Sequence, residues 1–464
     1  MRKLMKLTLT ALPLFATQIM AGQSYTKEEA IKIALEKSSD VQTAEQELVS
    51  ARSQIDQAYG NAYPTITLDA TTTRIFGLKD VKKKSDLTDA AQAMGAEPYA
   101  QDVLAPAVDG LIYGMSKQGY RWQSSVDLTA TQILYAQGKI STGTQIAKAY
   151  SRVKEVNLQN TKDDVRYNVS SSFDQLVYLD SAIGILKESI SQVEQHLEYV
   201  DAAVKNGLAT ELNQVRAQIS LDELKSTLEN TEKSRILARN ALLNTMGMEW
   251  DAEAEFKGEL KDPSNGGFAY PDTSVANVSK RRKEMAMLNE SEEMLKMNID
   301  IERGDYKPTV VLGGRLSYGN NQNEFYKWDA PDWDDNISKV IFLKASITLF
   351  NGMQTREKVA QAKSNLRSTQ IQKETLNRGI RLQIESAANT LANAESQLAL
   401  HKRRIELETK NVEMTEAAYK VGRETQLNYL DATMNLKNAK LNYLNAILTW
   451  NNAYNDLLKA TGEF

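Results

Sequence analysis

The side chains that most often carry out acid–base chemistry are nearly missing from this chain. It has two histidines, His196 and His401, and no cysteine. Each histidine lies in a helix-forming stretch among charged residues and is expected on a solvated helix face, which leaves no base for a histidine-driven reaction. The lack of cysteine excludes disulfides, thiolate metal sites, a cysteine nucleophile and a lipidated cysteine at a mature N-terminus. Met285, Met287, Met294 and Met297 stand close enough together to raise soft-metal ligation. Methionine is more often an adaptable packing residue, and these four are expected to pack. With no phosphate loop and no metal motif in the sequence, neither an enzyme nor a cofactor or metal site is expected.

The spacing that does repeat is conformational rather than reactive. Gly207-x-x-Thr210-x-x-Asn213-x-x-x-Ala217 returns as Gly422-x-x-Thr425-x-x-Asn428-x-x-x-Ala432, 215 positions later (422 − 207). At the same offset Leu242, Leu243 and Gly247 fall on Leu457, Leu458 and Gly462, and Tyr135 falls on Phe350. The chain is therefore two copies of one long unit, too long for a solenoid turn. Its function must lie in what two such halves build together. Glycine ends a helix in the left-handed conformation without steric cost, so Gly207 and Gly422 read as turns between antiparallel helices.

The elements that position those turns follow from proline and apolar spacing. Prolines stand at 13, 64, 98, 106, 263, 271, 308 and 331, leaving Ala107 to Asp262 and Asp332 to Phe464 free of them. An interior proline costs a helix about 3 kcal/mol, so very long helices can run through both tracts. Val359, Ala362, Leu366, Leu376, Ile380, Ala387, Leu391, Ala394 and Leu398 form one apolar stripe, which restarts after Gly422 with Leu427, Leu430, Met434, Leu441, Leu444 and Leu448. The helix before that glycine covers roughly 70 residues, or about 105 Å, deeper than an ordinary globular core.

Ahead of each long helix the period changes to two. Ile66, Leu68 and Ala70 alternate with Thr65, Thr67, Asp69 and Thr71, and Trp122, Val126, Leu128 and Ala130 with Gln123, Ser125, Asp127 and Thr129. The second half repeats this with Val310, Leu312, Leu316 and Tyr318, and with Leu343, Ala345, Ile347 and Leu349 against Lys344, Ser346 and Thr348. Four such strands match the wall of a membrane β-barrel but cannot close one alone, and lipid tolerates no open edge, so the chain should oligomerise. Gly77 to Gly114, with Lys82-Lys83-Lys84, reads as an enlarged loop between strands, and Gly319 to Asn336 as its counterpart. The lysine run is expected to be solvated, with contact to anionic lipopolysaccharide as the alternative. Asp262-Pro263-Ser264-Asn265-Gly266-Gly267 marks the link between halves.

The first twenty-one residues have the three zones of a secretory signal: basic Arg2, Lys3 and Lys6, an apolar run from Leu7 to Phe15, and small Ala21. Without them 53 basic residues (56 − 3) face 60 acidic ones, a net charge of −7 that suggests no nucleic acid. No later stretch approaches the length of a membrane-spanning helix.

Together these features resemble the TolC-like family of outer-membrane efflux and secretion ducts over essentially the whole mature chain. The most specific elements are Lys205-Asn206-Gly207-Leu208-Ala209-Thr210, Tyr419-Lys420-Val421-Gly422-Arg423-Glu424-Thr425, Leu430-Asp431-Ala432-Thr433 and the junction Leu349-Phe350-Asn351-Gly352. The resemblance implies an α+β membrane protein, a homotrimer whose twelve-stranded barrel, four strands per chain, crosses the outer membrane and continues as an α-helical coiled-coil tunnel through the periplasm. The organisation expected is a signal at 1–21, a first repeat at 22–249, an inter-repeat segment at 250–275 and a second repeat at 276–464.

As implied partners, a periplasmic adaptor would meet the tips at Gly207, Leu208, Thr210, Tyr419, Gly422 and Thr425, and an inner-membrane RND or ABC transporter would supply energy. Outer-membrane lipid would surround the barrel. The periplasmic aperture would include Asp431, Asn428 and Arg216. Asp431 reads either as a solvated or interchain-paired carboxylate or as one of three around a narrow opening, partly neutralised by Arg216. Members often carry acids where this chain has Asn213 and Asn428 and a base where it has Glu424, so a latch built on those charges is not expected. Many relatives also continue past the last helix, so a waist domain supported by such an extension is expected to be reduced. The implied function is a passive exit duct for small toxic compounds or an exported polypeptide. A trimeric coiled-coil stalk or adhesin is the rival, and it leaves the duplicated strand pairs unexplained.

Overall fold

The computed structural model describes residues 24–76, 93–95, 97, 122–263, 266, 268–322 and 337–464. The expected signal at 1–21, the Lys82–Lys84 run and most of the two loops between strands lie outside the described residues.

The described elements run in the order β1 (Ser24–Tyr25), α1 (Lys27–Lys37), α2 (Ser39–Gly60), β2 (Thr65–Arg74), β3 (Trp122–Ala136), α3 (Lys139–Lys205), α4 (Glu211–Thr245), β4 (Glu255–Phe256), α5 (Val275–Arg281), α6 (Lys283–Gly304), β5 (Thr309–Gln322), β6 (Ile337–Ser346), α7 (Gln354–Lys420) and α8 (Gln426–Thr461). The duplication is visible in this order. α3 and α7 have 67 residues each and start 215 positions apart (354 − 139), while α2 and α6 have 22 each and start 244 apart (283 − 39). The difference, 29 residues, falls between those elements, on the side of the enlarged first loop. Each 67-residue helix is about 100 Å long at 1.5 Å per residue.

The chain forms two compact units, each drawn from both halves. One is built from residues up to Ala51, from Ala149–Glu293 and from Arg367–Phe464; the other from Arg52–Lys148 and Met294–Leu366.

The first unit is helical, apart from the two-residue parallel pair β1–β4. Its main core joins Ala30 and Ala34 of α1, Val41 and Leu48 of α2, Val169, Phe173 and Leu176 of α3, Leu242 and Leu243 of α4, and Met246 and Phe256. Lys27 pairs with buried Asp174 at 2.8 Å in the same region. Burial raises the Asp174 carboxyl above its ordinary range, and Lys27 opposes that rise. The recurrence of Leu-Leu-x-x-x-Gly at the ends of α4 and α8 has a steric cause. Gly247 has φ 71°, and a Cβ there would stand 2.3 Å from the Lys37 carbonyl oxygen. Gly462 has φ 71° as well, beside Arg281 and Arg282. The stripe on α7 holds: Ala362, Ile380, Leu391, Ala394 and Leu398 are buried, with Ile384 added. On α8, Leu430 and Leu448 are buried, but Leu427 stays 43% exposed.

The second unit contains a four-stranded antiparallel sheet, ordered β2-β3-β5-β6. Its register puts the expected apolar residues in one band. Leu68 faces Leu128, which faces Leu316; Ile66, Ala130, Gly314 and Ile341 form the next row, and Ala70, Val126, Tyr318 and Ile337 another. The opposite face carries Thr67, Asp69, Thr71, Asp127, Thr129, Arg315 and Lys344, with Asp127 bonded to Arg315 across strands at 2.7 Å. Two expectations shift. β5 continues through Gly319 to Gln322, where a loop was expected, and β6 stops at Ser346, so Ile347 and Leu349 lie beyond the sheet. The reason for the second is the junction with α7, where the chain must leave the pleat: Gly352 and Met353 both have positive φ. Gln137 and Gly138, at the same offset, do likewise before α3. A left-handed non-glycine residue costs roughly 1–2 kcal/mol, so both copies keep a strained two-residue corner there.

Candidate functional site

Both Gly-x-x-Thr motifs fold as a stop followed by a restart. Gly207 has φ 72° and Gly422 φ 74°. The Gly207 N–H donates to the Val204 carbonyl at 3.0 Å and the Leu208 N–H to that of Ala203 at 2.8 Å; Gly422 donates to Tyr419 at 3.0 Å and Arg423 to Ala418 at 2.8 Å. This pair of bonds satisfies carbonyls that a helix end leaves over, and it requires a left-handed residue. Thr210 and Thr425 then open α4 and α8 in extended backbone. The Thr425 hydroxyl accepts the Asn428 N–H at 3.2 Å, whereas Thr210 makes no such bond. Such a cap contributes about 1 kcal/mol, so the second restart is the firmer.

The turns divide the expected tip residues into exposed and engaged ones. Leu208 is 83% exposed and Val421 68%. Asn428 is held within its own turn, its side-chain amide donating to Glu424 at 2.6 Å. Glu424, which replaces a base in the expected pattern, thus serves as a local acceptor. Asp431 and Arg216 are each the sixth residue of their helices, exposed, and neither forms an ion pair among the described residues. Gln426, which the motif does not include, is buried and donates to the Asn213 carbonyl at 2.9 Å, tying the start of α8 to α4.

Tyr419 is half-buried, and it leads to a feature that sequence reasoning missed. His196 is 8% exposed, which overturns the expectation of a solvated histidine. Its ring lies 4.8 Å from that of Tyr429 and 5.6 Å from that of Tyr419, while the two tyrosines stack at 5.8 Å and 9° and Tyr199 meets Tyr419 edge-on. Nε2 of His196 has no hydrogen-bond partner, and burial pushes the imidazole below its ordinary pKa. Burial pushes Tyr419 and Tyr429 up. A cavity of about 400 Å³ lies here, lined in part by Gln192, His196, Glu416, Tyr419, Lys420 and Tyr429. Spacing contained the signal: His196 stands three residues after Val193 and four before Val200, both buried, so it belongs to the apolar stripe of α3. His401 is also only half-exposed, with Nδ1 buried and unpaired. Met285 packs with Val278, Ile380 and Ile384, as expected of a packing methionine.

The described residues contain no group of three or more His, Cys, Asp or Glu placed to hold a metal ion, and no helix among them is long and apolar enough to cross a membrane. Comparison with known proteins adds three findings. A family model described as "Outer membrane efflux protein" matches residues 30–248 and 275–463. Outer membrane protein TolC of Salmonella enteritidis is 22% identical over 330 residues, covering 68% of this chain; the chain spans 65% of that relative's length. Among solved structures, a crystal structure of CusC superposes with a TM-score of 0.74 at 15% identity, covering 95% of this chain and 93% of that one. The Campylobacter jejuni CmeC outer membrane channel does so with a TM-score of 0.73 at 14% identity, covering 98% and 90%.

Proposed function

Because the chain belongs to the outer membrane efflux protein family, we propose that it is the outer-membrane exit duct of a tripartite export system. Three copies close a twelve-stranded barrel, the long helices line a periplasmic passage, and the Gly207 and Gly422 turns meet a periplasmic adaptor that links the duct to an inner-membrane RND or ABC transporter. The duct performs no reaction and conducts passively. Its cargo is small toxic compounds or an exported polypeptide, since both classes can use the same duct.

The sheet carries this reading. A water-soluble sheet hides its apolar face, yet here Leu68 is 70% exposed, Ile341 86% and Leu343 67%, while Asp127 on the polar face is buried. That inversion suits a wall with lipid outside and water inside. The edges β2 and β6 pair with no further strand of the described chain, and lipid does not tolerate such edges, so neighbouring copies are needed. α7 supports lateral assembly as well, because Leu400, Leu407 and Met414 recur every seven residues and are all exposed.

The mature protein is therefore expected to leave the outer membrane in mild detergent as a stable trimer that forms conducting channels in planar bilayers. A monodisperse monomer with intact circular dichroism would remove the architecture. A second expectation concerns Asp431. Three carboxylates around a constriction attract cations, so Asp431→Asn should lower cation preference and weaken block by multivalent cations, and Arg216→Ala should act the opposite way. Block should be modest even in the parent channel, since Asn428 stands where relatives often carry a second acid. Unchanged selectivity, block and conductance in Asp431→Asn would put this carboxylate on the outside of the passage.

A further inference from the structure

The contact around His196 joins parts of the chain that the duct reading assigns to its periplasmic end. His196 lies on α3, nine residues before its last residue Lys205; Tyr419 is next to last on α7, and Tyr429 is in the first turn of α8. One imidazole thus packs the end of the first helical hairpin against both helices of the second. It does so beside the stacked tyrosine pair, tilted to both rings, with no hydrogen-bond partner for its Nε2. We infer that this contact is an acid-released clasp: protonation of His196 separates the α3–α4 turn from the α7–α8 turn and raises the open population of the duct. The clasp is a regulatory element of the duct proposed above and rests on that reading for its effect on conduction.

The groups facing the ring explain why a proton there is disruptive. From α7 come Tyr419, Glu416 and Lys420, from α8 Tyr429, and from α3 itself Tyr199. The only carboxylate in that set, Glu416, is held by Lys420 at 2.7 Å, and Lys420 adds a positive charge at the cavity rim. An imidazolium must either draw Glu416 away from Lys420 or admit water between the tyrosines. Both moves open the stack that joins the hairpins. The sign follows from burial. The closed state lowers the affinity of His196 for a proton relative to a solvated histidine at about 6.5. The clasp is therefore fully held above about pH 6.5 and weakens as pH falls below it. Each pKa unit separating the two states changes the opening equilibrium by up to tenfold.

The test uses the full-length protein in lipid nanodiscs and in planar bilayers. Hydrogen exchange across residues 199–211 and 419–430, corrected for intrinsic rates, should rise on going from pH 7.5 to pH 5.5, with unchanged protection in the α1–α4 core. Open probability should rise over the same interval. His196→Phe and His196→Gln, neither of which can be protonated there, should abolish both steps while the trimer persists. The two substitutions guard against one failing to fold. An acid step of equal size in both variants, or a parent protein whose exchange does not change with pH, overturns the clasp. Acid-dependent exchange that is lost in the variants, in a protein that never conducts, retains the clasp and removes the duct.

Discussion

Leu128→Arg is expected to eliminate the assembled protein from the outer membrane, whereas Thr129→Arg, one position along the same strand, is expected to leave it in place. Leu128 lies in the middle of β3, with Leu68 and Leu316 as its cross-strand neighbours on the exposed apolar face. Thr129 points to the opposite face, beside Thr67 and Arg315. An arginine facing lipid near the midplane costs about 2–4 kcal/mol per chain, and the proposed trimer would carry three of them. An arginine on the water-lined face keeps its hydration. Seminative gels of outer-membrane fractions distinguish the two outcomes. Normal trimer levels for Leu128→Arg, or equal loss from both variants, would reverse or abolish the assignment of faces on which the membrane reading depends.

Gly422→Val is the second substitution with a large expected effect: loss of export with normal levels of outer-membrane trimer, and the same for Gly207→Val. Nothing lies within 4 Å of a Cβ built on either glycine, so crowding in this chain is not the obstacle. The obstacle is the left-handed backbone, which costs an ordinary residue roughly 1–2 kcal/mol and a β-branched one more. Relief of that strain breaks the two carbonyl bonds that terminate the helix and moves the exposed Leu208 or Val421. Gly422→Asn, which tolerates the left-handed region, should keep most export. A minimum-inhibitory-concentration assay for export substrates, run beside trimer blots, reads both. Full export in Gly422→Val with normal trimer would show that the turn docks no partner.

These tests rest on features of unequal visibility in the sequence. The 215-residue offset between the glycine motifs, the long proline-free tracts and the alternation of Ile66 to Ala70 or Val310 to Tyr318 are local and periodic. Local backbone preferences and one-sided burial follow directly from such patterns, which is why helices, strands, their faces and the duplication were legible. Element ends were less so. Whether β6 continues to Leu349 depends on the corner at Gly352 and Met353, and the alternating pattern runs through it unbroken.

What only the tertiary structure decided are the pairings between segments far apart in the chain. Strand order β2-β3-β5-β6 sets which apolar residues form rows across the sheet, and either hairpin alone is compatible with several neighbours. The charged neighbours of His196 in sequence point it to solvent, while its spatial neighbours, Tyr419 and Tyr429, stand more than two hundred residues away. Gln426 follows the same rule: the carbonyl it bonds, that of Asn213, stands 213 residues away. Sequence determined the kind of surface each element presents, because that is a matter of residue type and period. Tertiary structure decided which surfaces meet, because burial and hydrogen-bond satisfaction are properties of pairs, and a pair distant in sequence has no local signature.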